Sequence, residues 1–221
     1  MDVTQILRIY DKRISGFSVS DIADYAAAQR YAQKTGKVLA DVICQFTDFP
    51  SLTEADAVPL FTTTLKHNHD KVVKACRRAQ RAINNKARVS LGLLDADFDP
   101  EGAREIAFTI LDAKELTPDF VKNLVVNHSN HTVDETIRRN TEAQQGIGLE
   151  VHITRKYDDV GLHDGKDACQ WCLDREGDWN DYQEAYNAGC FERHPGCGCV
   201  IEYNVGKTHT WSNNKYDWNN M

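Results

Sequence analysis

The sequence contains no stretch approaching the roughly 18 apolar residues needed to cross a bilayer, which excludes a helical membrane span and leaves no membrane partner expected. Its start, Met1-Asp2-Val3-Thr4-Gln5, has neither a basic opening nor an apolar segment behind it, so no secretory signal is expected and the expected setting is a reducing cytoplasm. There is no internal repeat and no long low-complexity linker. The common hydrolase signatures are also missing. H-E-x-x-H, G-x-S-x-G and a Walker loop do not occur. The zinc deaminase pattern fails twice, because His163-Asp164-Gly165 lacks the glutamate and Ala168, not proline, precedes Cys169. Hydrophobic residues make up 41% of the 221 positions, a little below the usual range. This composition fits a folded chain with much polar surface, either one large domain or a core with a small added module.

What is present is concentrated near the C-terminus. Of 7 cysteines, five fall between positions 169 and 199, in the order Cys169-Gln-Trp-Cys172, Cys190, then His194-Pro-Gly-Cys197-Gly-Cys199. A C-x-x-C followed by H-x-x-C supplies four soft ligands at zinc spacing, because two intervening residues let a tight turn aim both side chains at one ion. The expected ligands are Cys169, Cys172, His194 and Cys197. Cys199 can replace Cys197, since the Gly-Cys-Gly-Cys turn presents both sulfurs, and Cys190 reads as a core thiol or a spare. Metal-free thiols or disulfides are the plainer alternative, and catalytic zinc or thiol redox chemistry a third. A thioredoxin-like reading lacks the βαβ unit it requires.

Net charge is −7, unevenly spread: from Leu149 onward there are 13 acidic and 7 basic residues, so the cysteine-bearing part is the acidic one. A zinc finger that grips DNA is basic instead.

The first two thirds read as helices. Ile6, Tyr10 and Ile14 form one stripe, and Val72, Cys76, Ala79 and Ile83 another at helical spacing. Asp99-Pro100-Glu101 and Thr117-Pro118-Asp119 are strong helix starts, each with a capping side chain, a proline at the first position and an acid in the first turn. Ser20 is expected to cap a helix. Capping-box spacing predicts starts at Ser51 (with Glu54) and Thr132 (with Glu135). Gly36 predicts a stop or kink, and Pro59 a short or kinked helix. Gly146 ends the last helix. Beyond it Leu149, Val151 and Ile153 alternate with polar residues, a strand signature; Cys199–Val205 is a second strand candidate and Thr208–Trp211 a third. The expected fold is α+β: a mainly helical domain over residues 1–148, a zinc-stapled module with a short β-sheet over 149–211, and a polar tail over 212–221.

Lys71, Lys74, Arg78 and Arg81 lie three or four apart on the central helix, with Arg77 beside them. The plain reading is a solvated face; the sharper one is contact with packaged DNA or an acidic protein surface. Asp134, Arg138 and Arg139 read as an ordinary exposed ion-pair face. Trp171 and Trp179 read as core for a thin metal-stapled fold, and Trp211 and Trp218 as core or intermolecular contacts.

Three segments resemble the minor head proteins of tailed phages, the head-morphogenesis family. They are Ile153-Thr154-Arg155-Lys156-Tyr157-Asp158-Asp159-Val160-Gly161-Leu162, Cys169-Gln-Trp-Cys172-Leu173, and Phe191-Glu192-Arg193-His194-Pro195-Gly196-Cys197-Gly198-Cys199. Asn130–Asn140 is similar as well. The resemblance covers about a third of the chain, and Gly198 stands where many relatives carry a basic residue. It implies a non-enzymatic virion component, in the head interior or near the portal, present in the host cytoplasm during assembly. It also implies binding to portal or major capsid protein, and to packaged DNA through the helical part. The alternative is a metal-dependent nuclease or toxin-like effector using the Cys/His site. Asp164, Asp167 and Asp174 are the nearby acids for such chemistry.

Overall fold

The computed structural model describes residues 2–157, 168–194 and 196–206, and every structural statement below concerns these. Asp2 accepts hydrogen bonds from the Thr4 and Gln5 amides and starts α1 (Val3–Ile14). Asp24, not Ser20, caps α2 (Tyr25–Phe46), taking the Ala27 amide at 2.7 Å. After a 3₁₀ turn at Phe49–Ser51 comes α3 (Glu54–Ala87), then α4 (Pro100–Leu111) and α5 (Pro118–Gly146). Both proline starts are used as expected: Asp99 accepts from Gly102 and Thr117 from Phe120.

Four local expectations give way to packing. Ser51 lies in the 3₁₀ turn, and Thr53 occupies the cap position of α3. Pro59 costs α3 one hydrogen bond near its start, yet the helix runs on to Ala87, 34 residues in all, because Leu60, Phe61 and Leu65 beyond it are fully buried. Thr132 sits inside α5, where its hydroxyl bonds the His128 carbonyl one turn back instead of opening a new helix. α2 runs on to Phe46 and is not stopped by Gly36. A Cβ there would lie 2.8 Å from Ser129 Oγ and 3.1 Å from the Val126 Cα, so the missing side chain lets α2 and α5 touch.

The sheet follows. β1 (Val151–Tyr157) is central, with β2 (Gly177–Trp179) and β3 (Cys199–Val205) antiparallel on either side. Between them lie two short helices, α6 (Gln170–Leu173) and α7 (Tyr182–Asn187). β1 and β3 are the two expected strands, and β2 was not foreseen. The third expected strand, Thr208–Trp211, and the tail lie outside the described residues. The fold is α+β: helices dominate, and one small antiparallel sheet carries the Cys/His region.

Two cores result. One is purely helical, built from α1, α3, α4 and parts of α2 and α5, around Leu39, Phe61 and Val125. The other is shared. Tyr25, Val72, Ala79 and Ile137 from the helices meet Ile153, Ile201, Tyr203 and Val205 from the sheet. A buried polar chain crosses the same junction. Tyr25 donates to Gln80, Gln80 and Gln144 both donate to Asn84, and Tyr203 donates to Gln144. Secondary structure therefore changes at residues 146–148, while packing continues across that point. Among the described residues no helix is long and apolar enough to cross a membrane.

His128 on α5 is 9% exposed, against Phe98. Burial, reinforced by the neighbouring His131 and His69 rings, pushes its pKa down to about 4. Below the ordinary histidine range the unfolded chain takes up a proton that the folded chain refuses. Stability is therefore expected to fall as pH drops from about 6.5 toward 4, by up to about 3 kcal/mol. Denaturant titrations across that window check this, and His128→Gln should flatten the slope.

Candidate metal centre

The expected ligands sit on three short elements that converge at one end of the sheet. Cys169 precedes α6 and Cys172 lies within it, with the Cys172 amide donating to the Cys169 carbonyl at 2.9 Å. One helical turn thus sets both sulfurs on one side. His194 and Cys197 share a second turn, closed by the Cys197 amide on the His194 carbonyl at 3.0 Å. Gly196 in that turn has φ +77°, a conformation that suits glycine. Cys199 opens β3, in register with Tyr157 at the end of β1. Pro195 lies outside the described residues.

The side chains meet as two overlapping triads, Cys169–Cys172–His194 and Cys172–Cys197–Cys199, and within each the ligand atoms all lie inside 4.8 Å. Cys172 belongs to both. The Cys172 and Cys169 sulfurs stand 3.0 and 3.3 Å from His194 Nε2, and the Cys172 and Cys197 sulfurs are 3.7 Å apart. Cys172, Cys197 and Cys199 are buried, while Cys169 is exposed. All seven cysteines are free thiols. The cluster could therefore hold a metal ion. Cys190 is not part of it: the thiol is buried in the shared core, where burial pushes its pKa up to about 12.

Charge around the cluster is arranged to favour a thiolate at Cys197. A hydrogen bond from Cys199, helped by the Arg193 and Arg155 guanidiniums, holds the Cys197 thiol well below the ordinary thiol range despite its burial. Burial and the charge of Cys197 push Cys172 up to about 12, and Cys199 is raised chiefly because its proton serves Cys197.

Three buried charged residues surround this arrangement, and none of them was picked out as a site residue by sequence reasoning. Arg155 is 1% exposed. Its Nη1 donates to the carbonyls of Gly189, Cys190 and Glu192 at 3.1, 2.7 and 2.6 Å, and its Nη2 reaches Cys197 Sγ at 3.6 Å. Arg193 donates to the Cys199 carbonyl at 3.0 Å and to Cys197 Sγ at 3.8 Å, and forms a two-pronged ion pair with Asp134 on α5. Asp134 is thus a buried anchor, which corrects its reading as part of an exposed face. Arg138 and Arg139 do pair near the surface, with Glu135 at 2.7 Å and Asp97 at 2.8 Å. A signal for Arg155 was available: it continues the inward phase Val151, Ile153, 155 along β1. Trp171 packs against the cluster, edge-on to His194 and beneath Arg175 at 3.9 Å, and Trp179 packs on the shared core, as expected of both. Asp174 caps the C-terminus of α6 and accepts from Gln170; Asp164, Asp167, Trp211 and Trp218 lie outside the described residues.

The basic stripe on α3 is a surface feature, and not all of it is free. Lys71 is half-buried and paired with Asp11 at 3.0 Å. Arg77 is tied to Asp95. Lys74, Arg78 and Arg81 line a hollow of about 390 Å³ with Ser20, and none of the three has an ion-pair partner among the described residues. Arg78 donates only to the Ser20 carbonyl, at 3.2 Å.

No protein-family model, curated protein or solved structure matches this chain.

Proposed function

We propose that this protein is a non-enzymatic structural component of a phage head, associated with portal or capsid, in which a zinc ion staples the Cys/His loops onto a helical body. The observation that carries the reading is the convergence of C-x-x-C and H-x-x-C-x-C, the segments that resemble minor head proteins, into one cluster against the sheet. Zinc fits the donor set. With zinc–sulfur and zinc–nitrogen bonds of about 2.3 and 2.05 Å, a tetrahedron has edges of roughly 3.8 Å between sulfurs and roughly 3.6 Å between sulfur and nitrogen. The observed sulfur–sulfur distance of 3.7 Å matches the first, and the sulfur–nitrogen distances of 3.3 and 3.0 Å are shorter than the second by about 0.3 and 0.6 Å, so the His194 ring would move outward to admit the ion. Cys169, Cys172 and His194, which already meet, would hold the ion together with Cys197 from the second triad, brought in through the shared Cys172, with Cys199 beside them. Its contribution would be cross-linking, since a four-ligand site leaves no open position for a substrate.

Mass spectrometry of purified virions and co-purification with isolated portal test the assignment; absence from virions and no portal or capsid binding would reject it. Any DNA contact belongs to Lys74, Arg78 and Arg81, because the sheet region is acidic and Lys71 is already neutralised. Duplex binding should be weak at physiological salt, with a log–log salt slope near −2.7 if all three meet phosphates. Reversing those three charges to Glu should abolish the binding, while Lys71→Glu should change it little. Metal-dependent cleavage of the DNA in the same assay would favour the nuclease alternative.

A further inference from the structure

We infer that Arg155 and Arg193 form a buried cationic cradle matched to an anionic metal–thiolate complex, which fixes a ligand set of three thiolates and one imidazole with Cys197 among the thiolates. The inference rests on the metal reading above and adds to it the net charge that selects that ligand set and a positioning residue.

The argument is one of charge. Arginine stays protonated in any protein environment. Arg155 and Arg193 are both buried at the cluster, and Asp134 neutralises one of them. Among the described residues no carboxylate pairs with Arg155, and its Nε has no partner. Its other contacts are neutral carbonyls, the Cys197 sulfur and the face of the Trp171 ring at 5.4 Å, none of which brings a formal negative charge in its protonated or neutral form. Arg155, Arg193 and Asp134 together carry one net positive charge, which is costly unless an anion, a thiolate at Cys197 or a metal–thiolate complex that includes it, completes the site.

A divalent ion with three thiolates and a neutral imidazole carries −1 and cancels that charge. Four thiolates would leave the site at −1, and two thiolates with two neutral ligands at +1. The geometry also separates the two candidate cysteines. Both guanidiniums point N–H groups at the Cys197 sulfur, at 3.6 and 3.8 Å, whereas Arg193 meets Cys199 at its carbonyl. Such outer hydrogen bonds orient a ligand and tune its basicity. Arg155 also fastens the loop that carries the second ligand pair, by holding the carbonyls of Gly189, Cys190 and Glu192 together.

The test uses the full chain loaded with one zinc equivalent. X-ray absorption at the zinc edge should give three sulfurs and one nitrogen; four sulfurs, or two and two, would overturn the inference. Competition with a chromophoric chelator should show Arg155→Met weakening zinc binding about 10- to 100-fold, with Arg155→Lys, which keeps the charge, falling between it and the parent. A folded Arg155→Met protein with parental affinity would overturn it too. If Arg155→Met does not fold, the absorption spectrum of the parent chain decides alone. A parent chain that takes up no zinc removes the metal reading itself, an outcome distinct from zinc bound by the wrong ligands.

Discussion

Cys172→Ser is expected to purify without stoichiometric metal and to melt roughly 8–16 °C below the zinc-loaded parent. Cys172 is the one residue common to both triads, so its loss leaves neither of them whole. Binding at free zinc about a thousandfold above the dissociation constant stabilises the folded state by about 4 kcal/mol, and a chain of this size loses roughly 2–4 °C per kcal/mol. Elemental analysis and thermal melts with and without chelator check both halves. The helical circular dichroism should survive metal loss, because the helical core around Phe61 contains no residue of the cluster and the sheet keeps its own contacts with α2, α3 and α5. What should change is the environment of Trp171, which packs directly on the ligands. A Cys172→Ser protein with a full zinc equivalent and an unaltered melt would reject the site.

The second large effect belongs to Asp134. Asp134→Asn leaves Arg193 charged and buried beside Cys197, and removing one partner of a buried pair costs about 3–5 kcal/mol. Chemical denaturation of the substituted chain should show that loss. Replacing both members, as Asp134→Leu with Arg193→Met, should recover much of it, because the burial cost of both charges disappears together. A loss below about 1 kcal/mol for Asp134→Asn would mean that water reaches the pair.

These two residues also mark where the sequence stopped being readable. The Cys/His cluster was legible because it follows the residue types and short spacings that metal chemistry requires. The starts at Asp99-Pro100 and Thr117-Pro118 were legible because capping is local. Asp134 was not: within its own helix it looks like an acid beside two arginines, and its partner lies 59 positions away. Gly36, Pro59 and Thr132 misled for the same reason. Each is a fair local signal for an end or a beginning, and each was overruled by a neighbouring helix invisible at that range. β2 has only 3 residues, too few for alternation to show. Arg155 is the instructive case, since its position in the strand pointed inward while its charge argued for solvent.

The register of β1 against β3 has one more consequence. At one end Val151 faces Val205, buried among the helices; at the other Tyr157 faces Cys199, within the Cys/His cluster. The sheet is thus built into the helical body at one end and tied by the cysteine cluster at the other. Were a metal lost from the cluster, the Cys199 end would still be held to α5 through Arg193 and Asp134, so loosening would begin in the Cys169–Cys172 and His194 loops and be checked at Cys199 before it entered the strands.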